Sequence, residues 1–173
     1  MKRLILVCGL PATGKSTSSK LLYLKFDKVG YLDVDAVRSV KFTDDEQDSR
    51  LKIKNGADVI RNYFDIGCTE VIAEGLADNQ RELDSFFSLL GENDISCTVF
   101  VLHADFDVRK VRWNKNIDPK DPPRPLDEVD RSLPVPDFAV SAAFRVCDLE
   151  TSADTPESIA QKMFDLLKEA NEK

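Results

Sequence analysis

The sequence contains no apolar run approaching the about 20 residues that a membrane span needs. No two of its four cysteines form a C-x-x-C pair. Cys8, Cys68, Cys97 and Cys147 lie far apart, each near an apolar run. That distribution argues against a disulfide framework or a thiolate metal cage and predicts buried free thiols in a reducing, cytoplasmic setting. Positive charge is also scarce: 24 Lys and Arg stand against 31 Asp and Glu, a formal net charge of -7. An extended nucleic-acid groove requires the opposite balance, so a nucleic acid is expected here only by its end, at a local basic patch. The single histidine, His103, sits in an apolar strand-like run and reads as structural. Internal repeats and low-complexity segments are missing too. Lys2-Arg3 and the short apolar run behind them superficially resemble a secretory leader, but no small-residue cleavage site follows and the segment reads as a first strand.

What is present has the rhythm of an α/β domain. The length, 173 residues, fits one domain with a sizeable core. Short, β-branched apolar runs recur at 3–8, 30–34, 69–73, 96–103 and 145–149, as expected of strands buried on both faces. Between them lie helical patterns: Leu21, Leu22 and Leu24; Ile53, Ala57, Ile60 and Phe64; Leu83, Phe86, Phe87 and Leu90; Ile159, Met163, Leu166 and Leu167. The last opens on Thr155-Pro156-Glu157, an N-cap, an N1 proline and a first-turn acid. Strands alternating with helices predict a parallel sheet covered on both faces. Residues 114–131, rich in proline and charge, break the rhythm as a long excursion from the sheet.

The stretch GLPATGKST, residues 9–17, follows the first strand and opens the first helix. It satisfies the phosphate-loop pattern in full. Gly9 and Gly14 let the backbone turn so that several N–H groups converge on one point, reinforced by the positive end of the helix. Gly9, Pro11, Ala12, Thr13, Gly14, Lys15, Ser16 and Thr17 form the expected cradle for ATP. Lys15 would reach the β and γ phosphates, Ser16 would offer a hydroxyl to Mg²⁺, and Thr17 would bond near the α phosphate. The GTPase base-reading element is not matched: Asn114-Lys115-Asn116-Ile117-Asp118 misses it by one position and lies in the excursion. The pattern therefore predicts a small kinase.

An acceptor side is also legible. Asp33 and Asp35 share a face of the second strand or its exit, and Arg38 follows three residues later. Phosphoryl transfer to an alcohol uses a base that orients the hydroxyl and a cation beside the developing charge. Asp35 and Arg38 suit these roles; the alternative for Asp35 is a helix cap, and Asp33 reads as a supporting residue. Glu74 ends the third strand, where an acid holds Mg²⁺ through water or caps the next helix. Arg81 faces either the acceptor or solvent. Arg109, Lys110, Arg112 and Lys115, with Lys120 and Arg124, concentrate positive charge over a lid at about 109–132. Arg112 and Lys115 are the expected phosphate contacts, Arg109 and Lys110 a solvated face, and Trp113 core or lid packing.

With these motifs the chain resembles the small P-loop kinases of the adenylate-kinase-like group, and among them the kinase domain of phage-type polynucleotide 5'-hydroxyl kinases and related AAA-type kinases. GLPATGKST matches the phosphate loop, DVDAVR the acceptor motif, VIAEGLADNQREL the third strand and following helix, and DVRKVRWNKN the lid. Glu74 stands where the family usually has aspartate, and a lid arginine expected near Asn116 is missing, leaving Lys115 or Arg124 to substitute. The resemblance implies a three-layer α/β/α P-loop NTPase fold with sheet order 2-3-1-4-5, Mg²⁺-ATP as donor, and adenine packing near Ser152 to Thr155. It implies Asp35 as general base with Arg38 assisting. The acceptor it implies is a 5'-hydroxyl of a polynucleotide or nucleotide. A small-metabolite alcohol, a nucleoside monophosphate, or a slow ATP-hydrolysing switch are the alternatives.

Overall fold

A computed structural model of the chain describes residues 2–37, 45–91, 94–115, 123–133, 135–139, 141 and 144–170. Five strands form its sheet: β1 (Lys2–Cys8), β2 (Val29–Asp33), β3 (Glu70–Glu74), β4 (Ile95–His103) and β5 (Arg145–Glu150). They pair in parallel, in the order β2-β3-β1-β4-β5. The central β1 has no polar face. Leu4, Ile5, Leu6 and Val7 are all fully buried, which is why the run lacks the alternation of a half-exposed strand.

Among the described residues the α-helices are α1 (Lys15–Tyr23), α2 (Asp45–Asp65), α3 (Gln80–Leu90), α4 (Phe106–Lys115), α5 (Leu126–Ser132) and α6 (Pro156–Glu169). One core layer packs Ile5, Val7, Ile72 and Phe100 against Leu22 of α1 and Ile159 and Met163 of α6. The other packs Leu4, Leu6 and Val71 against Ile53 and Ile60 of α2 and Leu83 and Phe86 of α3. The sheet is thus covered on both faces by helices whose apolar positions repeat at helical spacing. At α6, Thr155 Oγ1 accepts from the Ser158 N–H at 3.3 Å, with Pro156 in the first turn, as its sequence predicts. One apolar assignment fails: α1 ends at Tyr23, and Leu24 is exposed beyond it instead of extending the buried stripe.

Register sets up the site. Glu74 pairs with Val7 on one side and Asp33 on the other. Tyr31 pairs with Ile72, two residues earlier. Side chains alternate along a strand, so Tyr31, Asp33 and Glu74 point to the face of α1, at the carboxyl end of the sheet. Of the cysteines, Cys8, Cys97 and Cys147 are buried, Cys68 is half-buried, and none is paired. Burial pushes the Cys8 thiol up to about 12, leaving it unreactive. No helix among the described residues is long and apolar enough to cross a membrane.

Candidate active site

The segment between β1 and α1 curls over the carboxyl end of β1. Gly9 has φ of 142°, and a Cβ there would meet the Leu102 carbonyl oxygen at 2.5 Å. Only glycine fits against the β4 backbone at this point. Gly14, at φ 101°, caps α1 without a side-chain hydrogen bond. Ala12 occupies the left-handed region at φ 62°, a conformation that costs a non-glycine residue about 1 kcal/mol. Thr13 fixes the loop from within: its Oγ1 donates to the Leu10 carbonyl at 2.9 Å, and its own carbonyl accepts from Thr151 Oγ1 at 2.9 Å. Among the described residues, no backbone carbonyl accepts from the N–H groups of Gly14, Lys15, Ser16 and Thr17. Four adjacent donors with no backbone partner at a helix start form an anion cradle. Gly9→Ala is expected to destabilise the fold by about 2 kcal/mol through strain at this φ and the clash with Leu102; the shift of the urea unfolding midpoint measures it.

Lys15 lies within this cradle. Its Nζ donates to the carbonyls of Gly9 at 2.7 Å and Leu10 at 3.0 Å. Burial pulls its ammonium below the ordinary range, while the carboxylates of Glu74, Asp78 and Asp35 act to keep it charged. Glu74, only 4% exposed, stands at the end of β3. Burial pushes its carboxyl above the usual range; the nearby hydroxyls of Tyr31 and Ser16 act against that, the Asp33 carboxylate with it. Glu74 Oε2 and the Tyr31 hydroxyl are both buried without a well-formed hydrogen bond. A buried carboxylate oxygen left in this state beside Ser16 and Lys15 fits a cation that arrives with a nucleotide. No cluster of three or more His, Cys, Asp or Glu able to enclose a metal exists among the described residues.

Across the cleft, β2 leads into a 3-10 turn, Val34–Val37. The Asp33 carboxylate accepts from the Asp35 N–H at 3.1 Å. This bond uses Asp33 to fix the turn and leaves Asp35 exposed at the carboxyl edge of the sheet. The supporting role expected of Asp33 follows from it. Arg38 lies outside the described residues.

A second charged group crosses the same edge. Lys52 of α2 is 2% exposed, and its Nζ donates to Asp78 Oδ2 at 2.8 Å and Glu82 Oε2 at 3.0 Å. Burial alone would discharge it; the two carboxylates outweigh that and hold its ammonium above the ordinary range. Glu82 Oε2 also accepts from the Asp78 N–H at 2.9 Å, and Ser49 Oγ donates to Glu82 Oε1 at 2.5 Å. Asn79 caps α3 by accepting from the Glu82 N–H at 3.1 Å. Sequence reading missed Lys52 and Asp78, although the Asn79-x-x-Glu82 spacing announces a fixed helix start.

Among the basic residues of 109–132, Arg109 is placed differently from its expected role. Arg109, read as part of a solvated face, is buried. It forms a two-pronged ion pair with Asp130 of α5, and its guanidinium also donates to the Pro11 carbonyl at 3.3 Å and the Ala104 carbonyl at 3.2 Å. Arg112, read as a phosphate contact, donates to the Thr151 carbonyl at 2.7 Å and the Thr13 carbonyl at 3.4 Å. It therefore ties the phosphate loop to the turn after β5. Lys115 is exposed at the end of α4, and Arg124 is exposed before α5; Asn116 and Lys120 lie outside the described residues. Trp113 is half-buried, as packing predicts, with its indole nitrogen enclosed and unbonded. Arg81 is 86% exposed and stands 3.7 Å from Glu46, on the outer side of the α2–α3 pair. His103 bonds Asp148 at 2.7 Å across β4 and β5. Arg109→Ala strips one partner from a largely buried ion pair and is expected to cost about 3 kcal/mol, read from chemical denaturation.

No protein-family model and no curated protein sequence matches this chain. Solved structures do match. A sugar kinase from a Janibacter species is 18% identical, aligned over 97% of this chain and 95% of that one, at a TM-score of 0.70. A gluconokinase from Sinorhizobium meliloti is 14% identical over 97% of this chain and 93% of that one, at a TM-score of 0.67. The APS kinase of Mycobacterium tuberculosis, in complex with AMPPNP and APS, is 14% identical over 96% and 98%, at a TM-score of 0.65. At such identities the likeness is one of fold. The five-stranded sheet in the order 2-3-1-4-5 with flanking helices is the P-loop NTPase fold of these kinases.

Proposed function

We propose that the protein is a kinase that transfers the γ-phosphoryl group of ATP to an alcohol hydroxyl. The observation that carries this reading is the pairing of two features across one cleft. On one side stand four backbone donors without backbone partners and the Lys15 ammonium. On the other stands Asp35, exposed, with its backbone N–H held by Asp33 and its charge acting on Lys15. A cradle alone would serve a switch; a carboxylate held opposite it serves transfer.

The triphosphate binds the amides of Gly14 to Thr17, and Lys15 exchanges its loop carbonyls for β and γ oxygens. Ser16 and Glu74 would hold Mg²⁺, Glu74 through water. The ion supplies neutralisation of charge on the phosphate oxygens when bound. Asp35 accepts a hydrogen bond from the acceptor hydroxyl and aims its oxygen at the γ phosphorus. The new bond forms between that oxygen and phosphorus; the bond to the bridging oxygen of ADP breaks. The hydroxyl proton passes to Asp35 and from there to water. Arg38, the cation expected beside the transferred group, and Lys115 with Arg124 on the lid complete this proposal.

Two acceptors compete. The polynucleotide-kinase resemblance favours a 5'-hydroxyl of a nucleic acid or nucleotide. The formal net charge of -7 and the likeness in fold to a sugar kinase and a gluconokinase support a small hydroxyl-bearing molecule better. The test is an acceptor screen with γ-labelled ATP over 5'-hydroxyl oligonucleotides, nucleosides, nucleoside monophosphates, sugars and polyols, with Asp35→Asn as control. Label recovered in one acceptor class and lost in the control supports the reading. Label released only as orthophosphate, whatever is added, overturns it.

A further inference from the structure

Lys52 is an unusual investment for a core helix. An ammonium 2% exposed has lost nearly all its water, and two carboxylates are required to hold its charge. An apolar residue would pack α2 against β3 without that cost. What the ammonium achieves is positional. It holds Asp78 Oδ2 at 2.8 Å while Glu82, from one turn into α3, grips the Asp78 N–H at 2.9 Å. Main chain and carboxylate of Asp78 are therefore both fixed. Its other oxygen, Oδ1, takes no hydrogen bond among the described residues, and the side chain is 38% exposed. The residue follows β3 by four positions, where loops at the carboxyl end of a parallel sheet line the ligand crevice. Gly75, three residues before it, donates its N–H to the Val7 carbonyl at 3.1 Å, so this loop leaves the sheet beside the end of β1, and the Asp78 charge acts on Lys15.

We propose that Asp78, clamped by Lys52 and Glu82, binds the acceptor by accepting a hydrogen bond on Oδ1 from a second hydroxyl or an amine, so that the acceptor is neutral or cationic and polyhydroxylated. This rests on the kinase reading above and deepens it. Two carboxylates, the exposed Asp35 and the clamped Asp78, orient such a molecule at two points, one hydroxyl facing the γ phosphate and another facing Oδ1. They also repel an acceptor that carries its own phosphate. Of the two lysines whose charges act with Asp78, Lys15 serves the nucleotide and Lys52 is enclosed by its two carboxylates.

The experiment measures steady-state transfer by the full chain from Mg²⁺-ATP to neutral sugars and polyols, amino sugars, sugar phosphates and 5'-hydroxyl oligonucleotides. It is run with wild type, Asp78→Asn and Asp78→Ala. The wild type is expected to use neutral or aminated polyols at least tenfold better than phosphorylated ones. Asp78→Ala is expected to raise KM for the acceptor by about 10- to 100-fold, the value of one hydrogen bond to a charged group, with the Kd for a non-hydrolysable ATP mimic changed less than twofold. Asp78→Asn, which keeps an acceptor oxygen but loses the charge, is expected to fall between and to lose most with amino sugars. A wild type that transfers to no hydroxyl would overturn the kinase reading itself. A wild type that transfers but prefers a phosphate-bearing acceptor, or an Asp78→Ala protein with unaltered acceptor KM, would overturn this inference alone. Should neither variant fold, the acceptor order of the wild type still decides it.

Discussion

Replacing Lys15 with alanine is expected to lower kcat/KM for phosphoryl transfer roughly 10³-fold. The side chain carries little of the fold: among the described residues its ammonium bonds to the carbonyls of Gly9 and Leu10, in its own loop. Its contribution arises when a nucleotide replaces those neutral acceptors with charged oxygens. Lys15 is half-buried, and desolvation already pulls its ammonium below the ordinary range. A phosphate therefore meets a cation that need not be desolvated again, in a site where charge is weakly screened. Lys15→Arg is expected to fail almost as badly, because a planar guanidinium does not fit a space built for a compact ammonium. Kinetics and calorimetric titration with an ATP mimic check both variants. Transfer retained within tenfold in Lys15→Ala would remove the phosphate loop from the reaction.

The second large effect is expected at Asp35. Asparagine has the same shape and keeps an oxygen that accepts a hydrogen bond, but it takes no proton. If Asp35 is the base, Asp35→Asn lowers kcat by roughly 10²- to 10⁴-fold, while the Kd for ATP is unchanged because the residue faces the acceptor. The neighbouring Asp33→Asn is an internal control. Asp33 acts through Oδ1, which accepts from the Asp35 N–H at 3.1 Å, and asparagine retains that acceptor. Its loss is expected to stay below about tenfold. Equal losses at the two positions would mean that the turn, and not the proton, matters. Unchanged turnover in Asp35→Asn would dismiss Asp35 as the base.

The elements legible in the sequence share a property: their reason lies within a few residues. The five strands show because burial on both faces demands apolar residues at every position, as at Leu4 to Val7. The phosphate loop shows because its work is done by backbone, and Gly9 and Gly14 mark where the backbone turns. The start of α6 shows because Thr155 and Pro156 act locally. What stayed hidden depends on partners distant in sequence. Arg109 looks like any helical surface arginine until Asp130, in α5, is placed beside it. Lys52 looks the same until Asp78 and Glu82 fold against α2. Arg112 reads in sequence as a phosphate contact, and the two carbonyls it donates to, Thr13 and Thr151, carry no mark there. Burial of a charge is a property of the assembled layers, and no periodicity announces it.

One spectrum tests the central claim most directly. Wild-type protein, Mg²⁺-ATP and the best acceptor from the screen are followed together by phosphorus NMR. The account predicts one new phosphomonoester resonance for each ADP formed, with no orthophosphate beyond background, and neither product with Asp35→Asn. ADP accumulating with orthophosphate alone would contradict it and leave a nucleotide hydrolase in place of a kinase.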